Sequence, residues 1–377
     1  MSEAERSRLS GAASIVGVAT SDFRQLKEAR RPHLPVELAT NVIQMALADA
    51  GLEVDAVDGV LAMSVSAEAI ALRLGLDDLT LVLDYPYGGR YIAPALELAT
   101  HYLRSHAADT IVLVLALSRS ASYADSGAPG GHAAFEAMHA MGGPAAHSAM
   151  MARRYSHTYG DCGPALAEVA MSNRDNAVLN PIAVFRKPLA SEDYFASKLI
   201  AEPLRLFDYC MVNDGAVAIV LQRTAAVADS RSVAIGGFAS SSSPSVHYGA
   251  TDFYARQCRT AAAAMFGMAG LTVQDVHIAE IYDNYTPSAL FALEGFGFAE
   301  PGQAAGFIRD GQIRRTGRLP LNTGGGHTSE SYMQGMNLIA NAVRQLRREA
   351  GPAQIERARV AAFLYAAPSA GGCLLWR

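Results

Sequence analysis

Three glycines in succession, Gly324, Gly325 and Gly326, followed at once by His327 and then by Thr328-Ser-Glu-Ser-Tyr332, form the most site-like run in this 377-residue chain. Glycine takes positive φ at no steric cost and lets backbone amides approach a ligand closely. Met336 to Arg347 carries apolar residues at helical spacing, so the run opens a helix whose N-terminal amides favour developing negative charge on a bound group. His327 can donate to a carbonyl oxygen there, or stand as an ordinary solvated loop histidine. The same residues also suit a glycine-rich turn that does no chemistry.

A second cluster, Glu280-Ile-Tyr-Asp-Asn-Tyr-Thr286, ends an apolar strand. Tyr282 is either a phenol placed for proton transfer or a core aromatic with its hydroxyl satisfied at the rim. Asp283 either orients Tyr282 or a water, or caps the helix that Thr286-Pro-Ser-Ala-Leu begins. A third cluster, Tyr87-Gly88-Gly89, lies in a strand-to-helix loop, where the glycines free backbone amides for substrate or permit tight packing. Cys162, Cys210, Cys258 and Cys373 are far apart, and His132, His139, His147 and His157 have no ligand spacing, so neither a disulfide framework nor a metal site is expected. Cys210, in Asp208-Tyr-Cys-Met, reads as a small core residue.

The elements that must position these clusters are drawn from a chain that is 50% hydrophobic and 18% charged, with a formal charge of −5. That composition buries a large core, offers no basic stripe for nucleic acid, and contains no run near the roughly 20 apolar residues of a membrane span. The amino terminus lacks a signal-peptide core, and a cytoplasmic protein is expected. Ala12–Thr20, Val57–Met63, Thr80–Asp84 and Thr110–Leu117 read as strands, with helices over Leu38–Ala50 and Tyr91–Arg104 between them. From Ser118 to about Pro203 the strand signal fades into a mostly helical insertion. The pattern then repeats. Val233–Ala239 and Ile278–Tyr282 are strands around a helix at Cys258–Gly267, Gly270-Leu-Thr-Val repeats Gly51-Leu-Glu-Val, and Val360–Tyr365 closes the second set. Such order predicts an α/β chain of duplicated halves, 1–231 and 232–377, with predominantly parallel sheets between helix layers.

Asp214-Gly-Ala, Glu280-Ile-Tyr-Asp-Asn-Tyr-Thr and Asn322-Thr-Gly-Gly-Gly, in that order, resemble the thiolase superfamily over nearly the whole chain. Tyr87-Gly-Gly, Asn180-Pro, Glu202-Pro-Leu-Arg-Leu, Asp208 to Ala216 and Ser329-Glu-Ser-Tyr-Met-Gln-Gly-Met-Asn337 are most similar to its sterol-carrier-protein-type, lipid-transfer-like branch, in particular to bacterial aldolases that cut the side chain from steroid CoA thioesters. The resemblance implies the layered αβαβα thiolase fold, an acyl-CoA substrate with no cofactor of its own, a homodimer, and a small partner protein carrying a zinc-ribbon and an OB-fold. It also implies where catalysis sits, and there the chain departs. The loop that would hold a thiolase's nucleophilic cysteine is Tyr85-Pro-Tyr-Gly-Gly-Arg90, and the second cysteine loop corresponds to Tyr365-Ala-Ala-Pro-Ser-Ala-Gly-Gly372. Neither has a thiol. Tyr282 takes the place of a thiolase Asn or His, and Tyr332 that of the Gly-His-Pro histidine.

Those departures favour a retro-aldol cleavage of a β-hydroxyacyl-CoA, which needs a base, an acid and donors at the thioester oxygen but no nucleophile. Tyr282 and Tyr332 are the expected acid/base pair, joined by Asp283 and His327, with Tyr87, Gly88, Gly89, Gly325 and Gly326 lining substrate. A phenol, with a reference pKa of about 10, needs help to act as base. Two other classes stay open: an acyltransferase or Claisen-type synthase, and a non-catalytic acyl-CoA or lipid-binding protein.

Overall fold

The computed structural model describes residues 8–29, 33–85, 91–118, 138–139, 144–227, 230–242, 252–366 and 369–377. The strands of the N-terminal half are β1 (Ala13–Thr20), β2 (Gly59–Met63), β3 (Leu81–Tyr85), β4 (Thr110–Leu117) and β7 (Gly215–Arg223). Those of the C-terminal half are β8 (Val233–Ser242), β9 (Ile278–Ile281), β10 (Val360–Tyr365) and β11 (Ser369–Trp376). They form one nine-stranded sheet in the order β3-β2-β4-β7-β1-β8-β11-β10-β9. Only Ser14↔Ala234 and Ile15↔Val233 join its two parts.

Read outward from that seam, the halves match. β1-β7-β4-β2 pairs antiparallel, antiparallel, parallel, and so does β8-β11-β10-β9. Even β3, parallel to β2, has a remnant in the parallel bridge from Ala279 to Leu321. The helices correspond too: α2 (Pro35–Ala50) with α8 (Ala255–Ala269), and α4 (Ile92–Arg104) with α11 (Met336–Arg347). Both α2 and α8 stop at a left-handed glycine, Gly51 at φ 69° and Gly270 at φ 65°, so the repeated Gly-Leu-x-Val is a shared helix stop leading to a short 3₁₀ turn. The duplication read in the sequence is the architecture.

The expectation of predominantly parallel sheets is corrected. Five of the eight strand pairings in the sheet are antiparallel. A parallel pair needs a crossover long enough to hold a helix, and β10 reaches β11 through three residues, which permits only an antiparallel return.

Continuous apolar strands follow from helix cover on both faces. Along β4, Ile111, Leu113 and Leu115 pack with α4 and α11, whereas Val112, Val114 and Ala116 pack with α2 and α3 (Ala67–Leu74). On β10, Phe363 joins the α4/α11 core, while Ala362 and Leu364 face α8 and α9 (Pro287–Gly295). The layers are thus helix, sheet, helix, sheet, helix, with α4 and α11 in the middle. Between β4 and β7 the described chain is mostly helical: α5 (Pro144–Tyr159), α6 (Gly163–Leu179) and α7 (Ser191–Ala196), then a hairpin of β5 (Leu199–Ala201) and β6 (Leu204–Arg205). This region packs against the outer face of the C-terminal half. The short helices α1 (Phe23–Ala29) and α10 (Ala304–Arg309) complete the set.

Candidate active site

Alternation along β9 turns Ile278, Glu280 and Tyr282 toward the central helix layer. Tyr282 follows the strand's last residue, and its N–H donates to Leu364 O at 2.8 Å, fixing where the ring leaves the backbone. The glycine loop runs beside it. Asn322 sits at φ 47°, Gly325 at φ 116° and Gly326 at φ 62°, and residues Gly326–Glu330 form a single π-type turn before Gly335, at φ 91°, starts α11. The loop therefore feeds a helix N-terminus.

This path brings the two tyrosines together. Tyr282 Oη and Tyr332 Oη are 2.8 Å apart, and either can be the donor. The His327 ring stands edge-on to both, with centroids 4.7 Å from Tyr282 and 5.1 Å from Tyr332. Tyr332 is partly exposed, while Tyr282 is only 9% exposed, so the phenol pair meets at the rim of the core.

His327 itself is fully buried. Its Nε2 accepts from Gly335 N–H at 3.0 Å, which places the ring proton on Nδ1. Nδ1 lies 3.3 Å from Asp283 Oδ1 but makes no hydrogen bond among the described residues. Burial holds the imidazole down to about 3, so it is neutral at ordinary pH and brings no positive charge to the phenols. Asp283 accepts from His327 N–H at 2.8 Å and from Asn173 Nδ2 at 2.6 Å, and burial pushes its carboxyl up to about 7. It braces the turn. The helix at Thr286 has no side-chain cap, so Asp283 does not serve there.

Gly325 and Gly326 are buried, and their freedom is used for packing as well as for φ. A Cβ on Gly325 would come 2.7 Å from Ala177 Cβ, and one on Gly326 would strike Asp283, Asn173 and Asn322. Tyr87, Gly88 and Gly89 lie outside the described residues.

Two carboxyls and a set of asparagines complete the cage, and sequence reading gave them no role. Glu280 accepts from Thr323 N at 3.0 Å and Thr323 Oγ1 at 2.5 Å, and burial raises it to about 8. Glu330 accepts from Asn180 Nδ2, Asn337 Nδ2 and Asn341 Nδ2 at 2.7 to 2.9 Å; burial raises it, opposed by those donors and by Arg344. From α6, Asn176 donates to Leu321 O and Asn322 O, and Asn180 also donates to Gly324 O. Asn173 and Asn176 are three residues apart on one face of α6 and Asn180 is the residue that ends it, and that polar spacing was the signal available. The last element is the stretch before β7. Cys210 N donates to Asn284 O and Met211 N to His327 O. Asn213 Oδ1 accepts from Tyr332 N at 2.9 Å while its Nδ2 donates to Ser331 Oγ at 2.8 Å, so this residue sets the backbone of the second tyrosine.

Among the described residues no group of three or more His, Cys, Asp or Glu side chains could hold a metal ion. No helix among them is long and apolar enough to cross a membrane. A family described as thiolase C-terminal domain-like matches residues 239–373. The 17-hydroxy-3-oxo-4-pregnene-20-carboxyl-CoA lyase of Mycobacterium tuberculosis is 37% identical over 363 residues, covering 90% of this chain and 92% of that protein. This chain belongs to the thiolase superfamily. The steroid side-chain-cleaving aldolase of Thermomonospora curvata is 33% identical over 90% of this chain and 91% of its own. The solved structure of an Ltp2-ChsH2(DUF35) aldolase superposes with a TM-score of 0.90 at 30% identity, over 98% of each chain. For a thiolase-fold protein the thiols are strangely placed. Cys373 is buried on β11 with its pKa pushed up to about 12, and burial also raises Cys162. A thiol kept protonated in this way is a poor nucleophile.

Proposed function

We propose that this thiolase-fold chain is a carbon-carbon lyase that performs the retro-aldol cleavage of a β-hydroxyacyl-CoA, with Tyr282 and Tyr332 moving the proton. The observation that carries the reading is the 2.8 Å contact between the two phenol oxygens. In the forward step a phenolate takes the proton of the β-hydroxyl, the Cα–Cβ bond breaks to leave a ketone or aldehyde, and its electron pair enters the thioester as an enolate. Protonation at Cα then gives the shortened acyl-CoA. The step consumes no water and no oxidant, and one proton is returned to carbon for each proton taken from oxygen. A hydrogen bond between the two tyrosines lets one receive that proton and the other deliver it. His327 and Asp283 act behind them, as braces of the loop that carries Tyr332.

The acyl group we favour is a bulky, steroid-like one, because both named relatives act on steroid side chains. A homodimer and a small zinc-ribbon/OB-fold partner belong to the same proposal, and the Ltp2-ChsH2(DUF35) aldolase is likewise named as two components. A cytoplasmic location belongs to the proposal as well. The experiment is incubation with a β-hydroxyacyl-CoA bearing a ring ketone precursor, followed by mass spectrometry. Stoichiometric ketone and shortened acyl-CoA are expected. A covalent acyl-protein adduct with no ketone would replace this reading by an acyl transfer.

A further inference from the structure

Five of the twelve large apolar side chains that stand exposed among the described residues fall within 22 positions: Phe185, Phe195, Leu199, Ile200 and Leu206, each 42% to 53% exposed. Isolated exposed apolar residues are ordinary, whereas a cluster marks a surface that something covers. These belong to one place. Leu199 pairs with Arg205 in the β5–β6 hairpin, Leu206 N donates to Lys198 O, Arg205 lies over the Phe195 ring, and Arg174 lies between the rings of Phe185 and Phe207.

Their location has a second property: the patch is wired to the catalytic loop by the chain itself. Past Leu206, buried Asp208 accepts from Tyr194 Oη, Thr286 Oγ1 and Arg205 N. Tyr209 bridges to Tyr285, Met211 N donates to His327 O, and Asn213 holds Tyr332 N. Six residues separate the exposed Leu206 from Asn213, the side chain that sets Tyr332. Two occupants compete for such a surface. A second copy has another place to pair, the edge strand β3 at the far end of the sheet, unpaired on one side among the described residues and with Val82 exposed on it. The superposing aldolase is named as two components, and this chain accounts for 98% of the one it matches, leaving the other component without a seat.

We infer that the surface formed by Phe185, Phe195, the β5–β6 hairpin and Leu206 docks the small DUF35-type partner, and that docking there steadies the 206–213 segment and with it Tyr332. This rests on the partner named in the proposed function and is tested apart from the lyase chemistry. The full chain is mixed with purified ChsH2(DUF35) component and binding is followed by calorimetry, with Ile200→Asp plus Leu206→Asp as the test variant and Leu72→Asp, exposed on α3 away from the patch, as control. Wild type and the control are expected to bind alike, and the test variant about thirtyfold more weakly or worse, the loss typical of truncating interface anchors. Circular dichroism and thermal melting confirm that the variant is folded; hydrogen exchange on wild type, with protection expected at 195–213, reads the same surface without mutation. Wild-type-like binding by the test variant, protection confined elsewhere, no complex with wild type, or loss of self-association instead of partner binding would each overturn the inference. Turnover of the isolated chain is measured separately, so failure here leaves the lyase reading standing, and absence of turnover leaves the docking result readable.

Discussion

Replacing Tyr332 by Phe removes one oxygen and little else. The ring keeps its edge contact with His327, whose centroid lies 5.1 Å away, and the backbone N–H keeps Asn213. The direct structural loss includes the partly buried 2.8 Å hydrogen bond to Tyr282, worth about 0.5 to 1.5 kcal/mol of stability and reduced by water reaching the partly exposed site. The chemical loss is larger. An acid/base group contributes roughly 10²- to 10⁴-fold, or about 2.7 to 5.4 kcal/mol in the barrier, so kcat should fall by that factor while the melting temperature moves little. Tyr282→Phe should do the same. On the proposed mechanism the pair acts as one proton relay, so the losses should not add: the double variant should be about as slow as the slower single variant, as for groups that act as a unit. Single-turnover release of ketone from a β-hydroxyacyl-CoA measures all three. Either single variant within tenfold of wild type, or a double variant whose loss equals the product of the two, would refute the shared-proton argument.

Asn213→Ala should leave Tyr332 N–H and Ser331 Oγ without their partner, costing about 1 to 3 kcal/mol in a denaturant titration and lowering kcat with little change in substrate affinity; unchanged kcat would show that Tyr332 is placed by other means. Gly325→Ala, at φ 116° with Ala177 against the new methyl, should destabilise by about 1 to 3 kcal/mol, and a melting curve equal to wild type would contradict the packing described. Glu280→Gln tests the buried acid. A folded-state pKa raised to about 8 means that the folded chain holds a proton the unfolded chain has released, so Glu280 subtracts stability as pH climbs from about 4.5 through 8. His327 titrates in the opposite sense and is finished above about 6.5. Between about pH 6.5 and 8 wild type should therefore lose thermal stability faster than the Gln variant, which keeps an acceptor for Thr323; parallel curves would mean the carboxyl is not buried as described.

Much of this molecule was legible in its residues. The strand Thr110–Leu117 reads directly because all eight of its side chains are buried between helix layers, and Gly51 announces its helix end through the φ that only glycine takes freely, whereas the helix read as Cys258–Gly267 runs on to Ala269 and stops at Gly270. Tyr282 and Tyr332 could be paired because their motifs carry them, though fifty residues separate them in the chain. What stayed hidden was tertiary. Asn213 sits between an acidic turn and a strand with nothing local to show that its amide reaches Tyr332, and Glu280 looks like any charged residue until β9 is known to be inside. Strand direction was misread for a similar reason: periodicity shows where strands are, and only the length of the link from β10 to β11 tells which way the second one runs.

The loop that bears Tyr332 is gripped from behind, at its backbone and at buried residues, by Asp283, Asn213, Asn180 and the donors around Glu330, whereas the Tyr332 side chain stands partly in the open. Position 332 is in that respect a socket: the mount is independent of what is plugged into it. Exchanging the side chain there, an imidazole for a phenol included, would leave that mount untouched.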